Sequence, residues 1–185
     1  MRVYLQLIIL LFLSKIAYAA TVYVDVNGSN PTPPYSSWNT ASTTIQDALF
    51  SATFGDTILV TNGNYRITSE IQVNTSDVTI QSVNGPDVTV VDAQTYSRVF
   101  KINVPLVVLN GFTITGGYAD SGGGISAEED SEIIDCIIVN NFATGNGGGA
   151  ALIVLNDNQN MESNTNLNLS DQKLGQTKNS AKLVL

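Results

Sequence analysis

Apolar and polar residues alternate from Thr21 to Val26, with Val22, Val24 and Val26 on one side and Tyr23 and Asp25 on the other. That period of two predicts a half-buried strand. A stretch rich in Asn, Pro and Ser then runs from Asn27 to Asn39 and reads as a loop. After it the spacing changes. Ile45, Ala48, Leu49 and Ala52 recur at helical intervals, and Gly55 closes the run. Thr43 and Gln46 have capping-box spacing, in which the hydroxyl accepts from an orphan amide and the Gln side chain returns the bond. A short amphipathic helix ahead of a strand series predicts a cap that covers the first strand layer and protects its edge.

From Gly55-Asp56 onward the chain breaks into brief β-branched runs: Thr57–Val60, Tyr65–Ile67, Ile71–Val73, Val78–Ile80, Val88–Val91, Val99–Ile102, Val107–Leu109, Phe112–Ile114 and Ile133–Val139. Turn signals such as Asn62-Gly63, Asn84-Gly85-Pro86 and Asn110-Gly111 separate them. No helical pattern lies between these runs, which argues against a βαβ sheet and leaves a sandwich or a solenoid. Runs of similar character start at Thr57, Val78, Val107 and Ile133, at intervals of 21, 29 and 26 residues. Each interval holds about three short strands with bends, as one turn of a parallel β-helix requires. A sandwich favours longer strands joined by tight hairpins. The pattern predicts an all-β solenoid of about four coils with a short N-terminal capping helix.

Glycine supplies a second repeat. Nine of the fifteen glycines fall between Gly116 and Gly149, and Gly122-Gly123-Gly124-Ile125 recurs 25 residues later as Gly147-Gly148-Gly149-Ala150. Glycines at equivalent bends allow positive φ and close stacking of one coil on the next. Asparagines at equivalent bends are able to form amide ladders along the stack. A phosphate-cradling loop needs a following helix and usually a Lys, and neither follows these glycines.

Three segments together, Thr44-Ile45-Gln46-Asp47-Ala48-Leu49, Gly55-Asp56-Thr57-Ile58-Leu59-Val60 and Asn62-Gly63-Asn64-Tyr65, resemble the opening of pectin-lyase-like right-handed parallel β-helix proteins. The repeated Gly-Gly-[Ile/Ala] element with a nearby hydrophobic-x-x-Asn resembles the repeats of bacterial polymorphic outer membrane proteins. There the hydrophobic is commonly Phe; here Ile138 takes its place before Asn141. The resemblance covers about Thr21 to Ala151 and implies a right-handed coil. The family it points to spans polysaccharide lyases, hydrolases and adhesin-like secreted proteins.

The N-terminus changes the compartment. Met1–Ala19 has Arg2 ahead of an apolar run of about 11 residues, short of the roughly 20 that span a bilayer. Ala17 and Ala19 then place small residues at −3 and −1 of a cut before Ala20. The expected organisation is an export signal at 1–19, a β-helix domain at 20–155 and a polar tail at 156–185, disordered or non-native. No transmembrane helix is expected in the mature chain, which should be secreted or held at the cell surface. Formal net charge is −8, with eight basic and sixteen acidic residues. That excess argues against nucleic acid as a partner. Cys136 stands alone, so no intramolecular disulfide forms, and its apolar neighbours mark it as a small buried hydrophobe.

Little catalytic chemistry is visible. The chain has no histidine, which removes the commonest general base and most zinc sites. The resemblance implies that a lyase of this fold would use calcium-binding carboxylates and a Lys or Arg that takes the proton α to a uronate carboxyl. Arg66, Arg98 and Lys101 are the basic residues of the strand region, read as solvated exterior charges. Asp120, Glu128, Glu129, Asp130 and Glu132 form the densest acidic cluster. They are candidate ligands for a weakly held calcium ion; no other cofactor and no catalytic residue is implied. The aromatics Tyr35, Trp38, Tyr65, Tyr96, Phe100 and Tyr118 are able to stack on sugar rings only if exposed in a row, and their irregular spacing reads instead as packing.

From Asn156 to Leu185 the strand rhythm stops, apart from a weak strand signal at Ala181–Leu185. A coil stack ending there exposes an unpaired edge. Self-association through that end is therefore expected, unless the tail or a partner covers it or the natural product is longer. Two functions follow as expectations. One is a non-catalytic surface or adhesin-like segment that binds polysaccharide or a surface protein. The other is the N-terminal fragment of a polysaccharide lyase or glycoside hydrolase.

Overall fold

The computed structural model of the chain describes residues 19–128, 130–145, 148, 150–153 and 182–184. Strand β1 (Thr21–Val24) leads through a loop to helix α1 (Ile45–Ser51). The first winding is β2 (Thr57–Val60), β3 (Gly63–Arg66) and β4 (Ile71–Val73); the second is β5 (Thr79–Ser82), β6 (Thr89–Asp92) and β7 (Phe100–Ile102). Next come β8 (Val108–Asn110), β9 (Thr113–Thr115), a short outer strand β10 (Tyr118–Ala119) and β11 (Ile125–Glu128). They are followed by β12 (Glu132–Ile134), β13 (Ile137–Ile138), β14 (Phe142–Ala143), β15 (Ala150–Ile153) and β16 (Lys182–Val184).

These strands form three stacked parallel ladders: β1-β2-β5-β8-β12, β3-β6-β9-β13 and β4-β7-β11-β15. A two-stranded ladder, β10-β14, runs outside them. The fold is a right-handed parallel β-helix, with one α-helix among the described residues. Three full turns separate β2 from β12, and β12, β13 and β15 begin another, so the complete turns fall slightly short of the four expected.

Register explains why these residues form these strands. Thr57, Thr79, Val108 and Glu132 are successive partners, each within one residue of the repeat starts read from the sequence. One position further, Val22, Ile58, Ile80, Leu109 and Ile133 stack in a buried row. Ile71, Phe100 and Ile125 make a second row, and Tyr65, Val91, Ile114 and Ile138 a third. Each fully buried aliphatic side chain contributes about 1.5–3 kcal/mol. A one-residue slip would turn a whole row outward, so the rows fix the register. Phe100 and Phe112 fill the centre, with ring centroids 6.4 Å apart.

Two sequence expectations need correcting. Ile133–Val139 is not one strand but two, β12 and β13, because Asp135 adopts φ 47° between them. It follows the pair Ile134–Asn110 and so takes the place that Gly111, at φ 81°, holds one turn earlier. An aspartate tolerates that conformation better than most side chains. The capping box is also displaced by one residue. Thr44 accepts from the Asp47 amide at 3.1 Å and donates its hydroxyl to Asp47 Oδ2 at 2.7 Å.

Gln46 is released for another task. Its carboxamide accepts from the Gln72 amide at 2.7 Å and donates to the Gln72 carbonyl at 3.2 Å. Gln72 lies on β4, the N-terminal edge of the third ladder. One side chain thus imitates a missing strand and closes that edge, as the expected helical cap requires. The outer edge of β1 is closed by the loop: Tyr23 N–H donates to the Tyr35 carbonyl at 2.8 Å, and Ser42 N–H to the Tyr23 carbonyl at 2.9 Å. At the far end β16 pairs antiparallel with β12. The expected export signal lies outside the described residues except for Ala19, and the expected tail lies outside them except for β16.

Replacing Gln46 with Ala should cost about 0.5–1.5 kcal/mol, since it removes both bonds to the Gln72 backbone at an exposed edge. Gln46→Glu should cost less, because the carboxylate still accepts from the Gln72 amide and loses only the donation to the carbonyl. Urea unfolding of the three proteins checks this; an unchanged midpoint for both variants would mean that water serves that edge equally well.

Candidate functional site

The windings differ most on their outside, and one strip there is apolar. Tyr118 on β10 and Phe142 on β14 are register partners, and their rings lie nearly parallel, with centroids 5.5 Å apart and planes at 18°. Both are exposed, at 46% and 58%. Tyr96, one winding earlier, is exposed too, and Tyr118 N–H donates to the carbonyl of its neighbour Ser97 at 2.8 Å. The aromatics therefore follow the solenoid axis from coil to coil. Phe50 and Phe54 are also exposed, but no ring contact joins them to another aromatic among the described residues.

Close backbone packing positions this strip. A Cβ on Gly117 would collide with the Gly123 carbonyl, and one on Gly123 with the Phe142 carbonyl. The glycine repeat thus serves backbone-to-backbone approach. Its predicted spacing is met, since Ile125 pairs with Ala150. Asn141 fixes the strip's root: its side-chain oxygen accepts from Gly117 N–H at 2.8 Å, and its amide donates to the Ile114 carbonyl at 2.9 Å. Asparagine contacts between coils occur elsewhere, with Asn84 donating to Asn62 at 2.7 Å and Asn103 to Asn74 at 2.8 Å. Beside the rings, Thr144 donates to Asp120 Oδ1 at 3.2 Å, and both residues are exposed.

The acidic candidates follow one another along the chain from β10 to the start of β12. Asp120 follows β10 on the aromatic strip. Asp130, at φ 60°, lies in the bend before β12, its carbonyl accepting from Leu106 N–H, and Glu132 opens β12 half-buried. Glu128 ends β11, and Glu129 lies outside the described residues. Among the described residues no group of three or more His, Cys, Asp or Glu is placed to hold a metal ion.

A cleft of about 340 Å³ lies between the start of α1 and the β3–β4 bend, lined by Thr43, Gln46, Asp47, Tyr65, Arg66 and Glu70 among others. Its carboxylates are already engaged. Asp47 holds Thr44, while Glu70 accepts from Arg98 Nη1 at 2.7 Å and from Gln72 at 3.2 Å. Arg98 is a third correction: it is not a solvated charge. Its other nitrogens donate to the Gly122 and Ser121 carbonyls at 2.9 and 2.8 Å, so it clamps three windings together. Burial pushes the Tyr65 phenol up, against the opposing contact with the Thr61 hydroxyl.

Reading by residue type missed Phe142. The signal was present as Tyr118-Ala119-Asp120 and Phe142-Ala143-Thr144, aromatic-Ala pairs set 24 residues apart. Among the described residues no helix is long and apolar enough to cross a membrane. Comparison with family models, curated proteins and solved structures finds no match to this chain.

Cys136 packs against the core and donates to the Leu109 carbonyl at 3.7 Å. Burial raises its thiol from 9.0 to about 11. The folded chain should therefore react with iodoacetamide at pH 8 about a hundredfold more slowly than the chain in denaturant, since only thiolate attacks. Because the folded state holds this proton more tightly, the associated stability is present below about pH 9 and is lost as pH rises toward 11. Equal alkylation rates, measured by intact mass, would show an accessible thiol instead.

Proposed function

We propose that this chain is an exported, non-catalytic β-helix segment of adhesin-like type, binding a glycan or protein surface through the Tyr118–Phe142 strip. The observation that carries the reading is this in-register pair of exposed parallel rings. Exposed apolar strips with polar rims mark interaction surfaces. The opening motif and the Gly-Gly repeats support kinship with pectin-lyase-like β-helices and polymorphic outer membrane repeats. The absence of histidine and the engagement of Asp47 and Glu70 in internal bonds favour binding over turnover.

Charge narrows the ligand. The chain carries a formal charge of −8, Asp120 sits on the strip, and the cation bonded to the residues just after it, Arg98, is committed to Glu70 and two carbonyls. Acidic polymers are repelled at low salt, whereas a neutral sugar polymer presents apolar C–H faces to the rings and hydroxyls to Asp120 and Thr144.

The test is retention on immobilised neutral and acidic polysaccharides and on purified surface proteins, with soluble products monitored. Retention on a neutral glycan or a surface protein is expected, with no oligosaccharide released. The double variant Tyr118→Ala/Phe142→Ala should weaken retention at least about tenfold, with little change in unfolding midpoint. Release of unsaturated oligosaccharides from polygalacturonate would replace this reading with the lyase one. Retention indifferent to the double variant would remove the strip from it.

A further inference from the structure

We infer that Asp56 is a receptor for the α-ammonium group created when the chain is cut between Ala19 and Ala20; this rests on the export reading above. Asp56 is only 3% exposed, yet no Lys or Arg pairs with it among the described residues. One carboxylate oxygen is held by Thr53, whose amide and hydroxyl donate at 2.7 and 3.0 Å. The other oxygen accepts from the backbone nitrogen of Ala20 at 2.7 Å. A buried carboxylate without a cation is costly, and removal from water is offset only by an opposite charge or several good hydrogen bonds.

The sequence places the expected cut at the bond that ends on this nitrogen. Ala19 and Ala20 are both exposed, so a peptidase has access. Hydrolysis breaks the Ala19–Ala20 C–N bond. Water supplies the hydroxyl that makes Ala19 a free carboxylic acid, and the released Ala20 amine takes up a proton. A neutral amide N–H is thereby replaced, at the same atom, by an ammonium facing Asp56 Oδ1. Thr57 N–H donates to the Ala20 carbonyl at 2.9 Å, so β1 and β2 hold the new terminus in place. Processing would thus do more than release the chain: it completes the polar end of the solenoid.

The ammonium, facing a carboxylate, should titrate about one to two units above the ordinary 7.7–8.0 of a chain terminus. Its folded value being raised, the stability it brings is full below about pH 7.5 and is lost as pH rises through the folded value. The experiment compares the chain beginning at Ala20 with the same chain N-acetylated, and with Asp56→Asn. The amine is titrated by NMR and unfolding is followed at pH 6.5 and pH 10.5. Asp77 also places a carboxylate oxygen beside Gly55 and Ala19, so the amine value, raised in the chain beginning at Ala20, should fall in Asp56→Asn without having to reach the ordinary range. Acetylation should lower the unfolding midpoint by about 3–8 °C at pH 6.5 but not at pH 10.5. If Asp56→Asn does not fold, the acetylated chain carries the test alone. An ordinary amine value, or an acetylation effect equal at both pH values, would overturn the inference. N-terminal sequencing of the secreted product tests the export reading separately, because a cut elsewhere refutes that reading whatever the titration shows.

Discussion

The constraint on which this structure depends is that every winding must bury the same positions. A parallel ladder supplies backbone bonds to whatever strand lies above, so hydrogen bonding alone does not choose a register. The choice is made by the rows Val22–Ile58–Ile80–Leu109–Ile133 and Ile71–Phe100–Ile125, whose members all lie inside. Bends are free to vary in length once these rows are aligned. That is why the windings differ in residue count while the strand positions keep step.

A stack has two ends, and satisfying them is a separate problem from filling the interior. At the N-terminal end each exposed edge meets a specific partner: the 35–42 loop on β1 and the Gln46 carboxamide on β4. Asp56, two residues before the interior of β2, gives that end a polar floor with three hydrogen bonds. The other end is less settled. Ser131 lies one residue before β12, fully buried, and its hydroxyl has no partner among the described residues. Strand β16 meets β12 there in the only antiparallel pairing among the described strands. Orientation matters, since an antiparallel strand at the edge stops the parallel winding.

Much of this is legible in the sequence. Thr57–Val60 and Ile71–Val73 are found with the same boundaries, and the Gly-Gly repeat foretold the pairing of Ile125 with Ala150. Strands with β-branched residues at period two carry their own signal. What failed to show was of a different kind. Asp135 bends the chain where its neighbours spell a continuous strand, because left-handed backbone is signalled more weakly by an aspartate than by a glycine. Gln46 reads as a capping residue by spacing, yet its partner lies 26 residues away across the stack. Arg98 reads as solvated because Glu70 and the Ser121 and Gly122 carbonyls are brought to it only by winding.

The aromatic strip shows how an interior rule produces an exterior property. Nothing in core packing requires an aromatic at Tyr118 or Phe142, since both point away from the buried rows. What packing does require is that Gly117, Gly123 and Asn141 let successive outer bends approach to backbone contact. Once they do, any residue type repeated at the coil interval becomes a line along the axis, whatever its chemistry. The glycines therefore shape the surface at one remove. Widening the approach by a single Cβ at Gly123 would push against the carbonyl of Phe142 itself, the residue whose ring stacks on Tyr118. A solenoid of this kind turns a sequence period into a surface period, and the in-register Tyr118–Phe142 pair is an instance of that conversion.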